Sequence, residues 1–182
     1  MTDATPSVLL HVCCAPCAAH PIEVLQQTYH VTLFFSNSNI APREEYVARL
    51  QHVRRLVGLY HVALIEDTYD HDAWLEHVRG LEHEPEKGAR CARCFAFNLS
   101  RTAEYAAVHG YHAFTTTLTV SPHKPAESVF AAGRQFPHFL ACDFKKHNGY
   151  ARSTACAKEH CFYRQDYCGC EFSRRTSKNN GF

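Results

Sequence analysis

Five short apolar runs, separated by longer stretches of helical pattern, constrain the fold of this chain more than any other feature. Each run is rich in β-branched and aromatic residues and is short enough to be a strand buried on both faces. Strands that alternate with helices in this way form a mostly parallel sheet. The pattern therefore predicts a three-layer α/β fold with helices on both faces of the sheet. The predicted strands cover residues 8–12, 31–35, 62–65, 113–117 and 139–141.

Apolar residues at helical spacing predict two of the helices. One stripe covers residues 46–57 and ends at Gly58, and the second covers residues 99–107 and ends before Gly110. Glycine is common just after a helix, so the same signal predicts both ends. Pro42 and Ser121-Pro122 mark two helix starts, because proline is favoured in the first turn.

The size and composition of the chain favour one core. It has 182 residues, of which 46% are hydrophobic, and this is short for two domains. We therefore expect residues 1–182 to form a single α/β domain, with residues 174–182 as a flexible tail. No apolar run approaches the roughly 18 residues needed to cross a bilayer, and the first residues lack the pattern of a signal peptide. The sequence thus predicts a cytoplasmic protein without a membrane partner.

Ten cysteines in a cytoplasmic chain favour metal ligands or redox thiols over disulfides, because thiols stay reduced there. Seven of them form three local groups, and a two-residue gap lets both sulfurs face one ion or cluster. Seven exceed the four ligands of one zinc ion or one cubane cluster, so we expect two centres, or one centre and a redox-active pair. The candidate metal ligands are Cys13, Cys14, Cys17, Cys91, Cys94, Cys168 and Cys170.

The other three cysteines are assigned to packing. Cys142 extends an apolar strand, while Cys156 and Cys161 lie in a predicted helix. Since a buried cysteine packs like a small apolar residue, we exclude these three from the metal site.

The strand ends predict where the metal site lies. In open parallel sheets, ligands bind beyond the carboxyl ends of the strands. The three cysteines of residues 13–17 follow the first predicted strand, residues 36–39 the second, residues 118–121 the fourth, and Asp143 the fifth. We therefore expect these segments to share the carboxyl-terminal rim of the sheet, with the metal site there.

Six segments in order carry a resemblance to a known family. The chain resembles the cobalamin-independent epoxyqueuosine reductases from about Leu9 to Ser173, in LLHVCCAPC, FFSNSNIAPREEY, RCARCF, FTTTLTVSPHK, DFKKHNGYARS and YRQDYCGCEFS. The resemblance implies reduction of the epoxide of epoxyqueuosine, in the wobble position of tRNA, to queuosine and water. It also implies a [4Fe-4S] cluster with a second metal ion, iron, close beside it, and an adenine-nucleotide α-hydrolase-like α/β fold.

The expected reaction needs two electrons, two protons and a Lewis acid near the leaving oxygen. Our hypothesis is that Cys91, Cys94 and one or two N-terminal cysteines hold the cluster, while the remaining N-terminal thiolates, with a C-terminal cysteine, hold the second metal. The resemblance leaves the assignment of individual sulfurs open. The candidate catalytic residues are Cys14, Tyr150 and Asp143, the last of which has a helix N-cap as its alternative role.

Basic residues are concentrated at the C-terminus and predict a tRNA partner. Residues 1–142 carry 11 Lys/Arg and 14 Asp/Glu, whereas residues 143–182 carry 8 and 4. The basic residues alternate with aromatic ones, a mixture that suits the unpaired bases of an anticodon loop. The candidate phosphate contacts are Lys145, Lys146, Arg152, Arg164, Arg174 and Arg175, and the interleaved aromatic residues are Tyr150, Tyr163, Tyr167 and Phe172. The electron donor stays unidentified.

Three other functions stay open on the sequence. A zinc-stabilised RNA-binding module would use the cysteines without catalysis, and a thiol–disulfide oxidoreductase would use the CxxC pairs without metal. An ATP-dependent tRNA-thiolating enzyme would share the fold, but the first strand is not followed by a glycine-rich pyrophosphate loop.

Overall fold

A computed structural model describes residues 5–174, which form a sheet of four parallel strands. The strands are β1 (Ser7–His11), β2 (His30–Phe35), β3 (Ala63–Glu66) and β4 (Ala113–Thr116), in the spatial order β3-β2-β1-β4. Val8 of β1 pairs with Val31 on one side and with Ala113 on the other. The predicted parallel α/β fold is therefore confirmed.

Within residues 5–174, five of six α-helices pack on the two faces of this sheet, and the sixth, α3, packs in a separate cluster with Cys170. Alternate residues of β1 show the layering, because Val8 and Leu10 belong to one buried cluster and Leu9 to another. Residues of α1, α2 and α6 share the first cluster, and residues of α4 and α5 share the second. Helices thus lie on both faces, as predicted. The six helices are α1 (Ala15–Leu25), α2 (Arg43–Tyr60), α3 (His71–His77), α4 (Ala89–Val108), α5 (Ala126–Gly133) and α6 (Gly149–Glu159).

The predicted fifth strand, residues 139–141, is wrong. This segment forms only an isolated parallel bridge, between Phe139 and Phe114 of β4. Pro137 has no N–H to donate to a ladder, and His138 is left-handed, with φ of 64°. The backbone therefore turns sharply just before Phe139, and the pairing with β4 stays limited to one bridge.

The helix start predicted at Ser121-Pro122 is also wrong. Residues 121–124 form a turn, closed by a hydrogen bond from Lys124 N to Ser121 O of 3.2 Å. Helix α5 begins at Ala126, directly after Pro125. Since a residue before proline avoids the helical conformation, Lys124 cannot continue a helix that started at Ser121.

The other helix boundaries extend beyond their predicted ends. Helix α2 follows Pro42 as predicted but continues to Tyr60, where His61 in the left-handed conformation ends it. Helix α4 begins at Ala89, well before the predicted stripe, and so includes the CxxC pair of Cys91 and Cys94.

Two predictions about the whole chain stay untested. The single domain over residues 1–182 stays a prediction, and of the predicted tail only Arg174 is described, because residues 175–182, with Arg175, lie outside the described residues. Among the helices of residues 5–174, none combines the length and apolar character that a bilayer span requires.

Candidate metal centre

A cleft of about 380 Å³ opens at the carboxyl end of the sheet. Its lining comes from the segments after β1, β2 and β4, from α4 and α6, and from the C-terminal loop. Cys13, Cys17, Cys94 and Cys168 all lie on its walls. Cysteines far apart in the chain therefore meet at the rim on which the strand order placed them.

Cys13, Cys14 and Cys17 form a compact set, which we call the N-terminal thiols. Their sulfur atoms all lie within 4.8 Å of one another, and the Cys13 and Cys14 sulfurs are 3.9 Å apart. Metal–sulfur bonds of about 2.3 Å limit two thiolates on one ion to a separation of roughly 4.6 Å. Cys14 is the N-cap of α1, so the set lies at a helix N-terminus, where a thiolate is stabilised. The geometry suits one metal ion.

The N-terminal thiols share their charge unevenly. Hydrogen bonds from Cys14 and Cys17 hold the pKa of the Cys13 thiol well below its usual range. The same hydrogen bonding to Cys13 raises the pKa of Cys14 to about 12 and holds that of Cys17 well above its usual range. Cys13 is thus the first of the three to become a thiolate, and metal binding must displace protons from the other two.

Cys91, Cys94, Cys168 and Cys170 form a second set, the distal thiols. Cys91 and Cys94 are one turn apart on α4, so both face the same side of the helix. Burial raises the pKa of Cys94 well above its usual range, and the neighbouring charges of Cys168, Cys170 and Cys91 raise it further. The pKa of Cys91 is raised by burial and by Cys168 and Cys170. These sulfurs would repel one another as thiolates, so a cation or cluster among them would favour the charged form that binds metal.

A buried arginine positions the loop that carries Cys168 and Cys170. The guanidinium of Arg49 donates to the carbonyl oxygens of Cys168 at 3.0 Å and Tyr167 at 3.3 Å, and it pairs with Glu45 at 2.7 Å. Arg49 is 1% exposed. This loop is therefore held against α2 and the end of β2 by a charged group that has no access to water.

Gly169, between the two cysteines of this loop, allows the close approach. Its φ is 148°, a conformation that side chains rarely adopt, and a Cβ there would lie 3.2 Å from both Asn39 and Ile40. Its carbonyl oxygen accepts a hydrogen bond from Ala41 N at 2.9 Å. The Cys-Gly-Cys spacing therefore has a physical reason, since only glycine lets this loop reach the rim.

Trp74 supports a sulfur-bound metal beside the distal thiols. Its indole is fully buried with Cys170, Val78 and Cys94, and its N–H has no hydrogen-bond partner of normal geometry among the described residues. The Cys94 sulfur lies beside this N–H, which lowers the pKa of that thiol against the effect of burial. A buried N–H without a partner is available to a metal-bound thiolate nearby, because the sulfur of such a thiolate accepts hydrogen bonds. The residues present therefore fit a thiolate-bound centre.

Sequence reasoning missed Gln165, which contacts the N-terminal thiols, and Lys124, which lines the same cleft. Lys124 lines the cleft and a smaller pocket beside it, and the charges of Cys168, Cys13, Cys17 and Cys14 raise the pKa of its ammonium despite burial. Gln165 donates to the Cys14 sulfur at 3.3 Å. Both residues could have been found from the sequence, because they belong to two of the segments that carry the family resemblance, FTTTLTVSPHK and YRQDYCGC.

The three candidate catalytic residues lie at different places. Cys14 is buried within the N-terminal thiols, and Tyr150 lines the cleft and is 42% exposed. Asp143 is absent from the lining of the cleft; its carboxylate accepts a hydrogen bond from Lys145 N at 3.2 Å and lies 3.4 Å from the Lys145 ammonium. These contacts close a turn and do not cap a helix, because Lys145 and Asn148 are the residues that precede the next two helical segments. The predicted N-cap is therefore wrong, and a catalytic role for Asp143 stays a prediction.

The candidate RNA contacts differ in how free they are. Arg164 is exposed and lines the cleft. Lys146 and Arg174 are exposed but lie outside its lining. Arg152 is exposed but pairs with Glu23 at 2.8 Å. The Lys145 ammonium donates to two backbone carbonyls and points into the protein. The structure thus leaves four of the five described side chains accessible to a phosphate.

The aromatic residues of the same segment mostly pack. Tyr163 donates to Glu45 at 2.7 Å, and Tyr167 donates to the Ala41 carbonyl at 2.6 Å. Phe172 stacks on Trp74. Tyr150 is the aromatic side chain among them that is exposed at the cleft.

The cysteines assigned to packing follow that assignment in two cases. Cys142 and Cys156 pack against the cluster shared by α1, α2 and α6. Cys161 is exposed, because it follows the end of α6 in a left-handed conformation with φ of 51°. The packing prediction is therefore wrong for Cys161.

The fold and the site define a parallel α/β protein with cysteine sets at the carboxyl edge of its sheet, one of which could hold a metal ion. A family model, epoxyqueuosine reductase QueH, matches residues 8–176. The chain therefore belongs to the epoxyqueuosine reductase QueH family, which makes it an oxidoreductase.

Relatives in three bacteria agree with this assignment, and each is named epoxyqueuosine reductase QueH. The Streptococcus pyogenes protein is 39% identical over 93% of this chain and 71% of its own length. The Acinetobacter baylyi protein is 35% identical over 96% and 84%, and the Haemophilus influenzae protein is 34% identical over 97% and 75%. These findings do not favour a zinc-stabilised RNA-binding module or a thiol–disulfide oxidoreductase.

Proposed function

We propose that this chain carries out the reaction for which its family is named, the removal of the epoxide oxygen from epoxyqueuosine in the wobble position of tRNA. The products are queuosine and water, and the change consumes two electrons and two protons. The observation that carries the proposal is that cysteines 13, 17, 94 and 168 line one cleft, which also presents a lysine and buried amides. The reaction belongs in the cytoplasm, where tRNA is modified.

We assign the two cysteine sets differently from the sequence hypothesis. The N-terminal thiols are close enough for one ion, and the distal thiols supply the four ligands of a [4Fe-4S] cluster. Within residues 5–174, the N-terminal thiols are the sole group of three ligands within one-ion reach, as expected if the distal thiols each bind a different iron. When bound, a cluster and a neighbouring iron supply electrons and a Lewis acid.

Residues that line the cleft supply charge, apolar walls and a proton donor around the site of this reaction. Lys124 places a positive charge among the thiolates, and Gln165 fixes the Cys14 sulfur by its hydrogen bond. Leu118, Val120 and Phe95 line the same cleft and reduce the water around the reacting ring. Tyr150, at the wall of the cleft, has a phenol that can donate a proton to the leaving oxygen.

The tRNA would approach from the side of α6 and the C-terminal loop. Arg164 lines the cleft, and Lys146, Arg152 and Arg174 are exposed. An unpaired base can be extruded from an anticodon loop and stacked on an aromatic ring, for which Tyr150 is available. The electron donor is a separate reductant.

The experiment is a reconstitution. Protein loaded anaerobically with iron and sulfide is incubated with a chemical reductant and tRNA bearing epoxyqueuosine, and the nucleosides are then analysed by mass. We expect loss of one oxygen from the modified nucleoside. C94A should lose both iron and turnover, whereas C142A, a change at a half-buried cysteine outside both sets, should keep both. Protein that binds one zinc ion, binds no iron and leaves the nucleoside unchanged would refute the proposal.

A further inference from the structure

Two buried amides on the wall of the cleft leave one fully buried polar atom, Asn98 Oδ1, without a partner. The Asn98 side chain is 3% exposed, and its Nδ2 donates to Asn39 Oδ1 at 2.9 Å. Its Oδ1 is buried and accepts no hydrogen bond within the described residues. Exchanging the oxygen and nitrogen of both amides preserves their mutual hydrogen bond but leaves the Asn98 nitrogen unpaired instead. Either orientation therefore gives one free amide atom.

The position of this free atom points to the reacting end of the cleft. Asn98 lies one helical turn beyond Cys94, so the two side chains share a face of α4. Asn39 follows β2 on the rim, and both amides line the cleft together with Cys13 and Cys94. The free amide atom thus belongs to a side chain one helical turn from a proposed metal ligand, on the wall of the same cleft.

Buried polar groups without partners are rare, because they lose water and gain nothing in return. The mutual hydrogen bond of the two amides explains one polar atom of Asn98 and leaves the other unexplained. A ligand group that enters the cleft would satisfy it. A hydroxyl suits the site best, since it can donate to an amide oxygen or accept from an amide nitrogen.

We propose that the Asn98–Asn39 amide pair binds a hydroxyl of the carbocyclic ring that carries the substrate's epoxide. This inference rests on the proposed function. The epoxide must reach the metal site, and in epoxyqueuosine the same five-membered ring also carries hydroxyl groups. The ring therefore places a hydroxyl beside the distal thiols, while the deazaguanine base stays in the outer part of the cleft. The amide pair is then a positioning element that selects for the hydroxylated ring.

The test compares two tRNAs in the absence of a reductant, so that no turnover occurs. One carries epoxyqueuosine, and the other carries 7-aminomethyl-7-deazaguanine, which has the base but not the ring. We expect metal-loaded wild-type protein to bind the first more tightly. N98A should weaken binding of the first tRNA by about tenfold, because a buried group loses its hydrogen bond, and leave the second unchanged. S100A should change neither, since Ser100 is on the same helix and bonds to the Phe97 carbonyl.

Three results would overturn the inference: equal weakening for both tRNAs in N98A, no weakening for either, or no preference of the wild-type protein for the ring. Equal weakening would mean that the amides act on the base or on the fold, and no weakening would mean that water fills the place. If N98A does not fold, N98S, which keeps a polar group near Asn39, should show the same selective loss. Iron content and thermal stability are measured on every variant. The binding test does not use turnover, so a failure of the proposed reaction is seen separately.

Discussion

Replacing Arg49 with methionine tests whether a buried cation holds the distal thiols in place. The guanidinium makes three contacts, with Glu45 at 2.7 Å, the Cys168 carbonyl at 3.0 Å and the Tyr167 carbonyl at 3.3 Å. Removing one partner of a buried ion pair costs about 3–5 kcal/mol of stability. Glu45 keeps a hydrogen bond from Tyr163 at 2.7 Å, so we expect the lower end of this range, about 3 kcal/mol.

A matched control exists on the same helix. Arg54 also pairs with a glutamate, Glu66, through two hydrogen bonds, but its side chain is 55% exposed. The R54M variant should lose less than about 1 kcal/mol, because water screens an exposed pair. Urea unfolding measures both losses, and iron analysis shows whether the distal thiols still bind metal. R49M should lose iron, whereas R54M should retain it.

The result that would refute this reasoning is equal behaviour of the two variants. If R49M matched R54M in stability and in iron content, the three contacts of Arg49 would not position the loop. R49K adds a finer comparison, because lysine keeps the charge but lacks the planar fork that reaches two carbonyls and a carboxylate at once. It should therefore fall between R49M and the wild-type protein in iron content.

The other predictions concern charge, hydrogen bonding and tRNA. W74F removes the N–H beside Cys94 and should lower the reduction potential of the loaded cluster, measured by a redox titration with a spectroscopic readout; an unchanged potential would mean that the indole only packs. The pKa values of Cys14 and Cys17 are raised in the folded metal-free chain, so these thiols keep protons that they lose in the unfolded chain above the ordinary thiol pKa of 9.0. The free energy of unfolding should therefore fall as pH rises from about 9 to 12, and urea unfolding at several pH values measures this change. A flat profile would contradict those shifts. D143N should lower turnover without loss of iron, and unchanged turnover would leave Asp143 with its turn contact to Lys145 alone. R164A should weaken tRNA binding and make it less sensitive to salt, and an unchanged salt dependence would place Arg164 away from the phosphates.

Much of the fold was predictable because its signals are local. The first four predicted strands are short runs of mainly apolar, β-branched or aromatic residues, and β1, β2 and β4 are buried over almost their whole length, whereas the edge strand β3 is partly exposed. The failures occurred where backbone conformation decided the outcome. Pro137 and the left-handed His138 precede Phe139 and limit its pairing with β4 to one bridge. Pro125 moves the start of α5 beyond Ser121-Pro122. Neither effect is visible in an apolar pattern.

The sequence was sufficient to name the cysteines of the candidate site, but it did not show which cysteines lie together. Strand order brings the segments after β1 and β2 to one rim, and this requires only the rule for parallel sheets. Whether Cys168 joins Cys13 or Cys94 depends on how the C-terminal loop folds back. That loop is positioned by Arg49 and by the conformation of Gly169, two residues with no ligand chemistry of their own. A search restricted to metal-binding residue types therefore passes over them.

The two cysteine sets also differ in what the fold must do to form them. The N-terminal thiols lie within five consecutive positions at one helix N-terminus, so β1 and α1 bring them together without the rest of the chain. The distal thiols need α4 and the C-terminal loop to meet, and the buried guanidinium of Arg49 and the indole of Trp74 both lie at that junction. Damage to the junction should therefore remove the distal centre first and leave the N-terminal thiols able to bind an ion. This order follows from the placement of the residues. Iron content per chain is therefore more informative than stability alone for the arginine and cysteine variants, because it shows which thiol set still binds metal.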